Sequence, residues 1–340
     1  MVSLKDISAV CGVSVATVSK ALNDHGDIAD ATKERIRQKA KQMGYSPNSA
    51  AKALKTSRTR NLGVLLSDDN RSGLTHDYFA GVLESFKNTV EEKGYDITFI
   101  GGKKGAAGEM TYLEHCRYRG FDGVVAACAD FYDAQVEELV KSEIPLVTID
   151  HIFHNRIAVL SDNVRGMREL LEFICGKGHR RVAYIHGADS SVTQNRLSSF
   201  YRTAQELGLE VPNEYVIGAA YRDTKAAFHM TDRLLELRRP PTCICYADDF
   251  SALGGMNAIL DRGLKIPKDI SIAGYDGIRA GSYLVPKLTT IVQDTAALGR
   301  LAGECLIDLA ERPRTTIARQ IVVAGELFEG GSVGTVRKDA

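Results

Sequence analysis

The feature that most constrains the fold is an alternation, across residues 61–335, of short apolar segments with longer stretches of helical periodicity. Continuously apolar strands that alternate with helices are typical of parallel sheets with both faces covered. The segments that predict strands are Asn61–Leu66, Tyr95–Ile100, Gly123–Ala127, Leu146–Ile149, Arg180–Ile185, Cys243–Tyr246 and Ser271–Ala273. The first and fifth are each followed by a loop and an aromatic-containing helix, which predicts two similar α/β lobes.

Residues 1–46, here called the head, have a different pattern of short amphipathic helices. Gly12 lies in a turn, Ser14 can cap a second helix from Val15 to about Leu22, and a third helix is predicted from about Asp30 to Gly44. Two short helices joined by a glycine-containing turn and braced by a third indicate a helix-turn-helix. The spacing alone fits a generic three-helix bundle equally well.

Charge is unevenly distributed along a chain whose formal net charge is zero. Residues 1–60 contain eleven Lys or Arg against five Asp or Glu, a net charge of +6, and the remainder carries −6. A basic module on an acidic body favours a polyanion such as DNA as the partner of the first 60 residues. An uneven surface charge without function is the alternative.

Several classes of protein are not supported by the composition. No apolar segment approaches the roughly 18 residues that span a bilayer, and residues 1–6 do not resemble a signal peptide. The seven cysteines form no CxxC pair. We therefore expect reduced thiols in a cytoplasmic protein, without a metal or another cofactor.

Motifs along the chain resemble those of the LacI/GalR family of bacterial transcriptional regulators. In the head they are Leu4–Ile7, Gly12–Asn23 and Gly44–Asn48. Further along they are Gly94–Tyr95, Phe121–Val124, Ile144–Asp150, Ser161–Asn163, Gly178–Ala183, Arg196, Ala247–Asp249, Ile266–Ser271 and Gly274–Asp276. The resemblance implies an all-α helix-turn-helix head and an α/β two-lobed body of the type I periplasmic-binding-protein-like class.

This resemblance also implies the domain boundaries. The head would span residues 1–46, a hinge helix and linker 47–60, and an effector-binding and dimerisation body 61–335. Three crossings, near residues 161, 290 and 321, would divide the body. The N-lobe would comprise about 61–160 and 291–320, and the C-lobe about 161–290 and 322–335.

Candidate DNA contacts lie on the second helix. Val15 and Ala16 have no hydrogen-bonding ends, so at the exposed start of this helix they can read thymine methyl groups and shape. By resemblance, these two positions set operator preference. Candidates for phosphates or base edges are Ser14, Thr17, Ser19 and Lys20. Asn23 and Tyr45 are candidate phosphate contacts, although Tyr45 serves packing equally well.

The hinge is rich in alanine and begins after Pro47. A helix of about two turns is marginal in water and is expected to order against a second copy on DNA. In the family, the corresponding leucine enters the minor groove and bends the duplex, which makes Leu54 the candidate wedge, with Ala53 and Lys55 beside it. Asn48 lies at the join to the head. A flexible linker is the alternative.

Candidate effector contacts follow the predicted strands, because ligands of open α/β sheets bind at the carboxyl ends of strands. By resemblance, Asp276 grips ligand hydroxyls, Arg196 is the arginine at the start of a C-lobe helix, and Asp248 replaces the usual asparagine. The other candidates are Leu74, Thr75, Phe131, Asp150, His151, Tyr221 and Tyr246. An arginine flanked by carboxylates suits a polyol, such as a sugar or sugar derivative. For any single aspartate, a helix cap or turn is the alternative.

The function predicted is that of a homodimeric regulator, a repressor of a carbohydrate-utilisation operon that binds pseudo-palindromic double-stranded DNA. An enzyme is disfavoured, because the sequence contains no GxGxxG after a strand, no P-loop and no GxSxG motif. A regulator with a phosphoprotein corepressor and a sugar-binding protein without a role on DNA remain alternatives. The sequence does not identify the effector or the operator sequence. It also does not show whether the effector is an inducer or a corepressor, or whether the protein is a dimer or a tetramer.

Overall fold

The computed structural model describes residues 2–46, 58–67, 73–101, 104–105 and 108–336. The chain divides into two compact units, Met1–Thr59 and Arg60–Ala340. The first contains the head and the second contains the body.

Helices and strands alternate throughout the body, whereas the described part of the head is helical. The helices are α1 (Leu4–Cys11), α2 (Val15–Leu22), α3 (Asp30–Gln42), α4 (Asp77–Glu92), α5 (Tyr112–Arg119), α6 (Ala134–Lys141), α7 (Asn163–Gly176), α8 (Ser191–Glu206), α9 (Thr224–Leu235), α10 (Asp249–Asp261) and α11 (Thr295–Glu311). The strands are β1 (Asn61–Leu66), β2 (Asp96–Ile100), β3 (Lys104–Gly105), β4 (Gly108–Glu109), β5 (Gly123–Cys128), β6 (Leu146–Ile149), β7 (Ile157–Ser161), β8 (Val182–His186), β9 (Val216–Gly218), β10 (Cys243–Tyr246), β11 (Ser271–Ala273), β12 (Thr290–Val292), β13 (Gln320–Val323) and β14 (Glu326–Phe328).

The head is a helix-turn-helix braced by α3, as predicted. A capping box starts α1: the backbone N–H of Ser3 donates to the Asp6 carboxylate at 2.8 Å, and the Asp6 N–H donates back to the Ser3 hydroxyl. Gly12 ends α1 in the left-handed conformation, with φ 65°. The buried side chains that join the three helices are Ile7, Val18, Ala21, Ile36 and Ala40.

The N-lobe is built on a six-stranded parallel sheet in the order β13-β7-β6-β5-β1-β2. Helices α4 and α11 pack on one face, where Val82, Phe86 and Leu306 are buried. Helices α5 and α6 cover the other face through Leu113 and Leu139. Both faces are covered, which explains why the strands are continuously apolar.

The C-lobe has a four-stranded parallel sheet in the order β11-β10-β8-β9. Helices α7 and α8 cover one face through residues such as Leu170 and Phe200. Helices α9 and α10 cover the other through Leu234 and Ile259. The predicted class of two-lobed α/β body is thus confirmed.

Three connections join the lobes. The chain passes from β7 to α7 at Asp162, from β12 to α11 at residues 293–294, and from β13 to β14 at residues 324–325. The last two lie a few residues beyond the positions predicted near 290 and 321. The reason is that β12 pairs with β14 beside the C-lobe sheet, while β13 extends the N-lobe sheet next to β7.

Candidate functional site

Arg196, on α8, is the centre of the candidate effector site. Its Nε donates to the Asn163 side chain at 2.7 Å, and its Nη1 donates to the Ala247 carbonyl at 2.7 Å. The guanidinium also lies 3.5 Å from the centre of the Tyr275 ring. These contacts hold a fully buried cation in one orientation at the carboxyl end of the C-lobe sheet.

Asp276 supplies a carboxylate beside this arginine. Its Oδ1 lies 3.8 Å from Arg196 Nη2 and accepts a hydrogen bond of 2.6 Å from Gln293 Nε2. Burial raises the pKa of Asp276 well above its ordinary value, although the charge of Arg196 opposes the shift. Among the described residues, no hydrogen-bond donor contacts its second oxygen, Oδ2, so an acceptor and the Arg196 Nη2 donor stand side by side.

Asp248 lies at the N-cap of α10 rather than open to the cleft. Its carboxylate accepts from the Ser251 N–H at 2.8 Å, from the Ser251 hydroxyl at 2.9 Å and from the Arg222 N–H at 2.8 Å. Three donors already occupy it, so the helix-cap alternative describes its geometry. Through the Arg222 backbone, it positions the loop that enters α9.

The two tyrosines proposed for the C-lobe site are placed differently. Tyr221 packs its ring on Gly187, where an added Cβ would lie 2.2 Å from the ring, and its hydroxyl is 2.8 Å from the Thr193 hydroxyl. Tyr246 is fully buried and bonds to Thr231 on α9, so its prediction as an effector contact is wrong. Successive strand residues point to opposite faces, and Tyr246 points toward α9 and α10.

The N-lobe contributes a polar network at the end of β6. Asp150, in the left-handed conformation with φ 56°, accepts from the Tyr78 hydroxyl and from the Ser161 N–H at 2.6 Å. Burial raises the pKa of Tyr78, and the charge of Asp150 adds to the shift. Asp150 is therefore tied to α4 and to the first connection between the lobes.

His151 links the N-lobe to the C-lobe. Its ring stacks on Phe131 with the centroids 4.3 Å apart, and its Nδ1 lies 3.3 Å from the Ser191 hydroxyl at the start of α8. The same hydroxyl donates to the Asp150 carbonyl at 2.9 Å. Burial lowers the pKa of His151 below its ordinary value, which favours the neutral ring.

Leu74 and Thr75 lie in a short 3-10 segment, Gly73–Thr75. The Leu74 side chain is 61% exposed, so it is not enclosed by the cleft. Thr75 reaches the C-lobe through its backbone, because its carbonyl accepts from Arg222 Nη2 at 3.1 Å.

Four residues near the site were missed by the sequence reasoning: Asn163, Arg222, Tyr275 and Gln293. Asn163 and Tyr275 lie inside motifs that carried the family resemblance, so that signal was present. Gln293 is buried, and its Oε1 has no hydrogen-bond partner among the described residues. Nothing in the periodicity distinguishes Arg222 or Gln293, because only the tertiary fold brings their loops to the cleft.

The candidate DNA-binding surface is the start of α2. Ser14 caps this helix, with its hydroxyl accepting from the Thr17 N–H at 3.0 Å. Val15 and Ala16 are exposed, whereas Val18 is buried. The helix therefore presents two small apolar side chains outward.

Other predicted DNA contacts have partners within the head. Lys20 pairs with Asp27, and the Asn23 side chain donates to the Ser19 carbonyl at 2.7 Å. Tyr45 is half-buried against the head core, consistent with its packing alternative. The remaining candidates, Asn48, Ala53, Leu54 and Lys55, lie outside the described residues.

Other kinds of site find no support in the described ranges. There, no group of three or more His, Cys, Asp and Glu side chains could hold a metal ion. No helix in the same ranges is long and apolar enough to cross a membrane.

Two family models match the chain. Residues 3–48 match the bacterial regulatory proteins of the lacI family, and residues 171–333 match the periplasmic binding protein-like domain. A curated relative, the probable HTH-type transcriptional repressor ExuR of Bacillus subtilis, is 28% identical over 319 residues, which cover 93% of each chain.

Solved structures share the fold. The Lac repressor dimer bound to operator and the anti-inducer ONPF is 22% identical with a TM-score of 0.82, covering 98% of this chain and 99% of that one. The complex of the transcriptional regulator CelR with cellobiose is 23% identical with a TM-score of 0.70, covering 98% of this chain and 100% of that one.

Proposed function

The chain belongs to the LacI family of bacterial regulatory proteins, and from that premise we propose that it is a cytoplasmic repressor of a carbohydrate-utilisation operon. A small hydroxyl-rich effector, a sugar or sugar derivative, binds between the N-lobe and the C-lobe. Its binding changes the affinity of the protein for operator DNA.

The proposed effector class rests on the pair formed by Arg196 and Asp276. The guanidinium and the carboxylate are 3.8 Å apart, which places a cationic donor beside a carboxylate acceptor. Each hydroxyl group of a polyol is both donor and acceptor, so two neighbouring hydroxyls can satisfy this pair. A sugar in the solved structure of CelR, a protein of the same fold, supports this assignment.

Effector binding is coupled to DNA binding through the lobes and the hinge. Two copies of the chain pair and place two α2 helices on a pseudo-palindromic operator. The hinge segments then pair in the minor groove, where Leu54 inserts between base pairs. An effector that binds one lobe arrangement more tightly shifts the protein toward it and changes the spacing of the hinges.

A thermal-shift screen of a sugar library tests the effector site. The full chain is compared with Asp276→Ala and with the matched control Asp261→Ala, which changes an exposed carboxylate. We expect a sugar or sugar derivative to raise the unfolding temperature of the wild type and the control. Its affinity for Asp276→Ala should fall about tenfold or more, the usual cost of losing a hydrogen bond to a charged group.

Two results would contradict the proposal at different points. A hit that binds Asp276→Ala as tightly as the wild type would overturn the assignment of the site. Failure of the full chain to enrich any sequence from randomised duplex DNA would overturn the role as a repressor.

A further inference from the structure

Arg222 lies in the C-lobe between β9 and α9, and none of the roles above uses its side chain. Its backbone adopts the left-handed conformation, with φ 60°, and its N–H donates to Asp248 at 2.8 Å. Its guanidinium lies 4.0 Å from the centre of the Phe250 ring on α10. The contacts with Asp248 and Phe250 orient the guanidinium toward the N-lobe.

The guanidinium reaches the N-lobe. Nη1 lies 3.3 Å from the carboxylate of Asp77, the first residue of α4, and Nη2 donates to the Thr75 carbonyl at 3.1 Å. The Arg222 side chain is 14% exposed and that of Asp77 is 45% exposed. Because the Asp77 carboxylate is exposed to water, this ion pair is weak and is screened by salt, so it can open and close readily.

We propose that Arg222 is a latch between the lobes, which holds the mouth of the cleft closed without ligand and releases Asp77 and Thr75 when the lobes part. The inference builds on the proposed function, since it concerns the cleft assigned to the effector. A second contact between the lobes, from Ser191 to Asp150 and His151, involves no ion pair. Of these two contacts between described residues, the Arg222 contact is the one expected to respond to ionic strength.

The latch can be tested by measuring the distance between the lobes in the full chain, without effector or DNA. Spin labels replace Tyr118, exposed on α5 of the N-lobe, and Arg238, exposed in the C-lobe, through non-cysteine chemistry that leaves native thiols untouched. Labelled protein is diluted with unlabelled protein, so that any oligomer carries one labelled copy.

Arg222→Gln is expected to lower the ratio of closed to open molecules about two- to fivefold, as loss of a weak ion pair predicts. Added salt should shift the wild type toward the same distribution and leave Arg222→Gln nearly unchanged. Asp77→Asn should shift the distribution in the same direction but less, because it leaves the bond from Arg222 to the Thr75 carbonyl. The double variant should match Arg222→Gln, because both changes remove the same ion pair.

Arg239→Gln is the matched control, because it removes an ion pair of 3.0 Å with Glu210 inside the C-lobe. It should leave the distance distribution unchanged. The latch is overturned if Arg222→Gln and Asp77→Asn both retain the wild-type distribution, or if the wild type does not respond to salt. Since neither DNA nor effector is present, this failure is distinct from failure of the proposed function.

Discussion

Asp249 places a fully buried carboxyl group directly behind the candidate effector site. It accepts from the Thr290 hydroxyl at 2.7 Å and from the Ile278 N–H at 2.8 Å. Burial raises its pKa from 3.8 to about 7, the nearby charge of Asp248 adds to the shift, and the two hydrogen bonds only partly oppose it. The folded protein therefore holds a proton here at a pH at which the unfolded chain has lost it.

Because of this proton, the free energy of unfolding should depend on pH. A raised carboxyl pKa adds stability below about pH 4 that is lost as pH rises toward about 7, because only the folded state still binds the proton in that window. The loss is about 1.4 kcal/mol per pH unit, or roughly 4 kcal/mol in all.

Urea unfolding from about pH 4 to about pH 8 should show this decline in the wild type and a shallower one in Asp249→Asn. Asparagine has nearly the same shape, and its oxygen can accept from the Ile278 N–H while its amide donates to the Thr290 hydroxyl. The exposed Asp261→Asn should follow the wild type. Parallel pH profiles for all three proteins would show that Asp249 ionises normally in the folded state.

At the scale of an element, α2 divides its two faces between packing and recognition. Val18 is completely buried in the head core, whereas Val15, three residues earlier, is 39% exposed. The cap at Ser14 fixes where the helix begins and hence which residues its exposed first turn presents. Two valines in one helix thus have different physical roles.

Changing Val15 should alter sequence preference without unfolding the head. Val15→Asn gives the exposed position a side chain that can hydrogen-bond to a base edge, and a good pair discriminates by about 1–3 kcal/mol. Selection from randomised duplex DNA should yield a different consensus at one position of each half-site. Val18→Ala, the matched change, should lower head stability and weaken binding to all sequences. An unchanged consensus for Val15→Asn would remove Val15 from the recognition surface.

At the scale of the whole molecule, the chain consists of two compact units that meet at Thr59 and Arg60. The head has its own core of five buried residues, and the body has covered sheets in both lobes. Each unit therefore buries its own apolar surface, the usual condition for independent folding.

Removing the head should weaken DNA binding and leave sugar binding unchanged. A chain of residues 60–340 is expected to keep the unfolding temperature of the body, and its shift with any sugar found by screening, because the candidate site lies wholly within the body. Its affinity for operator DNA should fall by at least a hundredfold, since the basic reader is gone. Thermal shift and gel-shift titration measure the two effects, and loss of the sugar response would contradict a self-contained body.

Much of the candidate site was predictable because family motifs lie at strand ends. Arg196 and Asp276 lie 3.8 Å apart, and Asp150 and His151 directly follow the N-lobe strand β6. Tyr246 was misplaced because its side chain points to the covered face of the sheet. Leu74 was predicted in the cleft but lies exposed, since the adjoining Thr75 backbone reaches the C-lobe instead.

The sequence was sufficient to predict the helix-turn-helix, the parallel α/β lobes and the resemblance to the LacI family. Local properties carry those conclusions: caps, helical periodicity, continuously apolar strands and short motifs. The tertiary structure was needed to show that Gln293 contacts Asp276 and that Arg222 contacts Asp77, and to choose the helix-cap alternative for Asp248. Arg222 and Asp77 are 145 residues apart in the chain. Their contact depends on how two separately folded sheets face each other, which no local pattern encodes.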